Sequence, residues 1–347
     1  MSSRHGTGVI MAAEPGTESS EASEVWGRIE DLLDEGEPDE ALVEAERFVG
    51  REPGSGEGRA MMGIVLARRG ENERALTFLE QALVLEPGMT RARIEKARIL
   101  FDEGRYEEVL ETLEEESSVA ALYLVASSLY ELGEHEEAET VCARALALEE
   151  PSELRQLEAL LRLQRAESEE AATSARRAIE LDPDSAEGHY TLGLAYTQLG
   201  RISDADAAFA RAAELDPDSY FQPSRLSEED FEEAVDEALS RIPEEFEPFL
   251  TNVEVAVEDV PDPKMVREGL EFDLLGVYQG HTIQTESWDL PDRVLLFQRN
   301  LENISPDRET LIEEIRDTVF HEVGHHMGMD EDAVRSAEEE WFDDEGG

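Results

Sequence analysis

AEGHYTLGLAYTQLGRISDADAAFARAAELDP, residues 186–217, contains small residues at positions that a lone amphipathic helix would not require. Leu192, Gly193, Tyr196, Ala205, Phe209, Ala212 and Pro217 stand at the spacings of two helices joined by a short turn and packed through small side chains. The pattern recurs upstream. Gly36, Gly70 and Gly104 are 34 residues apart, as are Pro53 and Pro87, and Pro183 and Pro217. A fixed period of that length announces stacked supersecondary units. The unit ending at Pro87 agrees through Gly63, Leu66, Gly70, Ala75, Leu79 and Ala82, and one beginning near Ser23 agrees through Leu32, Gly36, Ala41 and Ala45. Three further units are degenerate: one from about Thr90 with Gly104, one centred on Gly133 and Ala138, and one over 152–183 with Ala171, Ala175 and Ala178 but no turn glycine.

These units resemble tetratricopeptide repeats. The expected fold is mainly α: a disordered tail over 1–21, then an α-solenoid of about six repeats over 22–217, in which neighbours bury the faces that a single repeat leaves exposed. The resemblance implies a groove that binds protein or peptide partners and supplies no chemistry of its own; a spacer role is the alternative. His135 and His189 fall on this scaffold without histidine or acidic partners at ligand spacing, so they read as packing or surface residues.

After Pro217 the period stops. DSYFQPSR opens a turn-rich linker, 218–226, ahead of a second domain over 227–342 and a disordered tail over 343–347. Ser227 is placed to cap an amphipathic helix with Phe231, Ala234, Val235, Ala238, Leu239 and Ile242 on one face. The period then changes to two: NVEVAVED, LLGVYQG, HTIQT and RVLLFQR (293–299) read as strands. From Ser305, with Pro306 at the favoured first helical position, a long helix carries Leu311, Ile312, Ile315, Val319, Phe320 and Val323 on its apolar face and is expected to end at Gly328. The second domain is therefore α+β.

Its last helix runs into HEVGHHMGMDED, residues 321–332. Residues four apart share a helix face, so His321 and His325 can address one ion while Glu322 reaches a water upon it. Two imidazoles and a carboxylate suit Zn2+, which keeps a fourth position for water and lowers its pKa toward neutrality; Glu322 would act as general base. Composition alone predicts such a histidine–acid–two-residue–histidine string about 0.03 times in this chain, although histidines at a helix C-terminus also complement its dipole. The acid three positions after Gly328 makes Glu331 the first choice for third ligand. Asp330 reads as the N-cap of a final helix and Asp332 as its first-turn acid, and both stay candidates. His326 lies about 100° around the helix from His325, which favours packing or support of a ligand over ligation. Tyr278 and His281 fit contact with a substrate carbonyl and equally strand-end packing.

Residues 226–341, and especially EALSRIPEEF, NVEVAVED, LLGVYQG, LPDRVLLF and TVFHEVGHHMGM, resemble a small bacterial family of zincin-like metallopeptidases with an HExxHxxGxxD signature. That resemblance implies zinc-dependent peptide hydrolysis with His321 and His325 as ligands and Glu322 as base. Glu331 stands where the family usually has aspartate.

A formal charge of −55 repels phosphate and argues against nucleic acid or anionic lipid, so basic or neutral protein ligands are expected in the groove. The apolar runs GVIMAA and VAALYLVA are too short for a signal-peptide core or a membrane span, which suggests a cytoplasmic protein that binds no membrane. Cys142 has no partner for an internal disulfide and sits where a small buried residue is needed. The two readings of the whole chain are a zinc metallopeptidase whose repeats bind substrate or partners, and a repeat adaptor whose zincin-like domain is structural or inactive.

Overall fold

The computed structural model describes residues 20–242, 253–279, 292–326, 329 and 334. Twelve helices follow one another along the chain as six helix–turn–helix units: α1 (Ser20–Asp34) then α2 (Pro38–Arg51), α3 (Gly56–Arg68) then α4 (Asn72–Leu85), α5 (Thr90–Asp102) then α6 (Tyr106–Leu113), α7 (Val119–Glu131) then α8 (His135–Leu146), α9 (Ser152–Gln164) then α10 (Ser168–Leu181), and α11 (Ala186–Gln198) then α12 (Ile202–Leu215). The chain divides into two compact units, 5–161 and 162–347. None of the described helices is long and apolar enough to cross a membrane.

One local device closes the first helix of every pair. The amide just after the turn residue bonds back to a carbonyl five positions earlier: Glu37 to Leu32, Glu71 to Leu66, Arg105 to Leu100, Glu134 to Leu129, Glu167 to Arg162 and Arg201 to Tyr196, all at 2.8–2.9 Å. This closure requires a left-handed residue at the turn. Five times that residue is glycine, at 36, 70, 104, 133 and 200, with φ between 67° and 76°; in the fifth pair it is Ala166, at φ 57°. The degenerate repeat therefore keeps the backbone geometry and bears the steric cost of a Cβ there.

Within 5–161, the second helices contribute Ala41, Ala45, Ala75, Ala82, Ala138 and Ala145, all fully buried, and thereby let helices approach closely. Trp26, Phe48, Met61, Leu66 and Leu79 fill one core cluster. A second joins Cys142 to Leu154 and Leu157, so the cysteine packs as expected, with its Sγ 3.6 Å from the Leu154 carbonyl. The ring of His135 lies against Tyr130, a packing role.

Within 162–347, Phe209 is fully buried and occupies the space Gly193 leaves: a Cβ on Gly193 would lie 2.5 Å from the Phe209 ring. Nε2 of His189 lies 3.3 Å from the Pro183 carbonyl. Beyond the linker, α13 (Glu228–Ser240) is capped by the Ser227 hydroxyl, which accepts from the Asp230 amide. Strands β1 (Val253–Glu258), β2 (Gly276–Gln279) and β3 (Asp292–Phe297) form a sheet of order β1-β3-β2, parallel between β1 and β3 and antiparallel between β2 and β3. A short helix α14 (Pro263–Arg267) follows β1, and α15 (Gln298–Ile304) follows β3 directly. The run RVLLFQR is thus a strand only as far as Phe297. Gln298 and Arg299 start a helix whose Glu302 is fully buried. Glu302 accepts from the Leu226 amide, Gln298, Arg225 and Arg299. HTIQT, at 281–285, lies outside the described residues.

The last helix, α16 (Arg308–His326), begins later than Pro306. Asp307 makes the start: its Oδ1 accepts from the Thr310 amide at 3.0 Å, and this bond holds its carboxyl below the usual range. An aspartate cap satisfies an otherwise orphaned amide and complements the helix dipole, which outweighs the preference of proline for the first position. Leu311, Ile312, Ile315, Val319, Phe320 and Val323 are buried against Phe231, Ala234, Val235 and Ala238 of α13 and against Val294 and Leu296 of β3.

Three substitutions test this account by guanidinium denaturation followed by helical circular dichroism. Ala166→Gly should stabilise by roughly 0.5–1 kcal/mol, because it removes the left-handed Cβ at some entropic cost. Gly200→Ala, at φ 67°, should destabilise by about 1 kcal/mol. Gly193→Ala should cost about 1–3 kcal/mol through overpacking against Phe209. Equal effects of Ala166→Gly and Gly200→Ala would contradict the shared closure.

Candidate functional site

The site grows from the end of α16. The apolar face of that helix is held against α13 and the sheet, and the residues just beside it, His321 and Glu322, are half-buried. Both remain within reach of solvent while their backbone is fixed. His325 follows one turn later on the same helix backbone; its side chain and that of His326 lie outside the described residues.

Strand β2 supplies the other wall. Gly276 begins it, and a Cβ there would lie 2.6 Å from Thr318 Cγ2 and 3.2 Å from the Leu295 carbonyl. Thr318 is itself buried and β-branched, hence stiff. Only glycine lets the strand come this close to α16. Two residues along the strand from this contact, and one helical turn along the helix, the Tyr278 amide donates to Glu322 Oε2 at 2.7 Å. A short bond to a carboxylate oxygen is of the stronger charge-assisted kind. It holds the Glu322 carboxylate through the backbone of the strand. Sequence reasoning considered the Tyr278 side chain and missed this backbone role; the glycine at the head of a short strand was the available signal, since such a glycine marks close approach. His281 lies outside the described residues.

Past the helix, the Met329 amide donates to the Gly324 carbonyl at 3.1 Å. Val334 is fully buried, and a Cβ on Gly324 would lie 3.0 Å from Val334 Cγ2. The chain therefore contacts the helix at Gly324, between the two motif histidines, both before and after the three acids. Asp330, Glu331 and Asp332 themselves, with Gly328, lie outside the described residues. Among the described residues there is no group of three His, Cys, Asp or Glu side chains that could hold a metal ion. In chemical kind the candidate donors, two imidazoles and a carboxylate, fit Zn2+. The half-buried His321 beside an oriented Glu322 fits a base next to a metal ligand.

Glu314, on α16, has its carboxyl raised above the ordinary value by burial, with Asp317 and Glu313 adding repulsion. Farther off, burial also raises Asp273, and with Asp273 nearby it pushes the Tyr190 hydroxyl to about 12.

Comparison with known proteins agrees with this architecture. The family model "Zincin-like metallopeptidase" matches residues 250–341. Tetratricopeptide repeat models match 27–88, 66–115, 160–200 and 186–219, and a model for subunit 3 of the anaphase-promoting complex matches 96–145. No curated protein matches the chain. Among solved structures, the anaphase-promoting complex hetero-tetramer Cut9-Hcn1 is similar at 17% identity and a TM-score of 0.51, over 55% of this chain and 39% of that one. YrrB, a repeat protein with an unusual peptide-binding site, is 20% identical over 50% of this chain and 93% of that one, with a TM-score of 0.40. A thermophilic repeat protein of Thermus thermophilus is 23% identical over 47% of this chain and 93% of that one, with a TM-score of 0.42. The chain carries N-terminal tetratricopeptide repeats joined to a C-terminal zincin-like metallopeptidase domain.

Proposed function

We propose that the protein is a cytoplasmic zinc-dependent peptidase, with the repeats of 22–217 recruiting a protein substrate or partner and the domain of 227–342 cleaving it. The reading is supported chiefly by one observation: in an HExxH string on a rigid helix, the glutamate between the histidines is oriented by the Tyr278 amide of the neighbouring strand. His321 and His325 would hold Zn2+, with Glu331 as third ligand and Asp330 or Asp332 as the other candidates. Bound there, the ion supplies an acidified water and polarisation of the scissile carbonyl. Glu322 takes a proton from the attacking water and delivers it to the leaving amine. The Tyr278 amide keeps that carboxylate in one orientation through the transfer.

Metal analysis of full-length protein purified without chelators should find one zinc per chain; protein devoid of zinc and similar ions would sink the proposal. Glu322→Gln should keep the zinc and the unfolding midpoint while lowering cleavage by about 100- to 10,000-fold, read by comparing proteome-wide cleavage products with those of wild type. Indistinguishable products would favour the adaptor reading instead, in which the repeats alone do the biological work.

The repeats should bind basic or neutral extended peptides, because the chain carries a charge of −55. Binding of a basic peptide should weaken severalfold between low and physiological salt as the Debye length falls to about 8 Å. Salt-insensitive binding of an acidic peptide would contradict this assignment.

A further inference from the structure

The segment between α14 and β2 belongs to no ladder, and besides local turn bonds several of its backbone groups bond to side chains from elsewhere in the unit 162–347. Gln164, the last residue of α9, donates through Nε2 to the Leu270 carbonyl at 3.1 Å and accepts the Phe272 amide on Oε1 at 3.4 Å. Gln198, the last residue of α11, donates to the Phe272 carbonyl at 2.9 Å. Asn300 of α15 donates to the same carbonyl at 3.0 Å and to that of Leu274 at 2.8 Å. The Leu275 carbonyl then accepts the Phe297 amide at 2.8 Å, and β2 begins with the next residue. Phe272, at the centre of this clamp, is 1% exposed, and Gln164 and Asn300 are 9% and 3% exposed.

Both glutamines sit at the same place in their repeats, on the last turn of the first helix. Side-chain amides suit the task because each offers a donor and an acceptor to a backbone that has no strand partner. A residue at the end of a repeat helix would otherwise need no such reach. The clamp is continuous with the site: it holds 270–274, which feeds β2, and the third residue of β2 is Tyr278, whose amide holds Glu322.

We infer that Gln164 and Gln198 are positioning residues for Glu322, so that the last two repeats set the orientation of the base through the 270–275 segment and β2. The inference rests on the reading of Glu322 as the base beside a metal. It makes the final repeats part of the machinery that aligns the site, in addition to any recruitment by the array. It also gives a route by which a ligand that shifts the ends of α9 or α11 would alter the set of Glu322.

The Tyr278 amide reports the tether directly, because exchange with solvent requires its bond to Glu322 to open. The experiment is residue-resolved hydrogen exchange on the full chain, for wild type, Gln164→Ala/Gln198→Ala, Glu322→Ala and the combined triple variant. The double variant should speed Tyr278 exchange by about tenfold, the factor expected for losing one hydrogen bond's worth of stability, with the β1–β3 ladder unchanged. In the Glu322→Ala background the glutamine changes should add nothing further, since the bond they act through is already gone. Unchanged exchange at Tyr278, equal acceleration in both backgrounds, or acceleration across the whole sheet would each overturn the inference, the last two by assigning the glutamines a merely structural role. If the double variant does not fold, Gln198→Glu replaces the donor by an acceptor at equal size and is read in the same way. Zinc content of the wild type, measured in parallel, separates the two ideas. Absence of zinc defeats the peptidase reading, whereas bound zinc with unaltered Tyr278 exchange defeats only the clamp.

Discussion

The carboxylate of Glu302 has no exposure and cannot be left uncompensated, since an unpaired buried charge is far more costly than an exposed one. Its compensation comes from four directions at once. The Leu226 amide and Arg225 come from the linker, and Gln298 and Arg299 from the turn before it on α15. Arg225 also pairs with Asp206 of α12 and lies 5.8 Å from the centre of the Phe209 ring, while Arg299 reaches back to Asp259 after β1. The last repeat, the linker, the exit of β1 and the helix after β3 are thereby tied to one buried group. Pairing of this kind adds little net stability over a well-packed apolar core, but removing a single partner is expensive.

With that arrangement fixed, the site is a matter of how closely a strand may approach a helix. Gly276 sets the distance by having no Cβ, Thr318 is the surface it meets, and the Tyr278 amide reaches Glu322 as a result. The bond comes from the backbone and so depends on strand position more than on side-chain identity. The same logic operates in the segment before β2. A stretch with no regular partners is held by glutamine and asparagine side chains, and its end determines where the strand starts. Placing a side chain to within a fraction of an ångström requires rigid elements supported by such contacts.

The sequence was most informative where the determinants are local. The helix pairs follow from recurring small residues, strictly 34 apart at Gly36, Gly70 and Gly104 and less regular from Gly133 on, and Ser227 and the apolar stripe of the last helix are legible because capping and burial periodicity act over a few residues. Local rules also competed: Pro306 and Asp307 both signal a helix start, and the hydrogen bond from Thr310 decided in favour of Asp307. Gln298 and Arg299 look like the end of a strand until their buried partners are known. In the fifth repeat no glycine marks the turn, yet Ala166 adopts the left-handed geometry because the closure of the helix pair demands it.

By itself the sequence determined that a repeat array precedes a small α+β domain, and that His321, Glu322 and His325 lie within one turn or so of a single helix, because helical spacing converts sequence position directly into a shared face. The tertiary structure alone decided that a backbone amide from residue 278 would hold Glu322, that Glu302 would gather the linker, and that Gln164 and Gln198 would grip a segment more than seventy residues away. Those contacts join residues remote in the chain through the shape of the packed unit. No local propensity encodes them, because their partners become neighbours only when the core has formed.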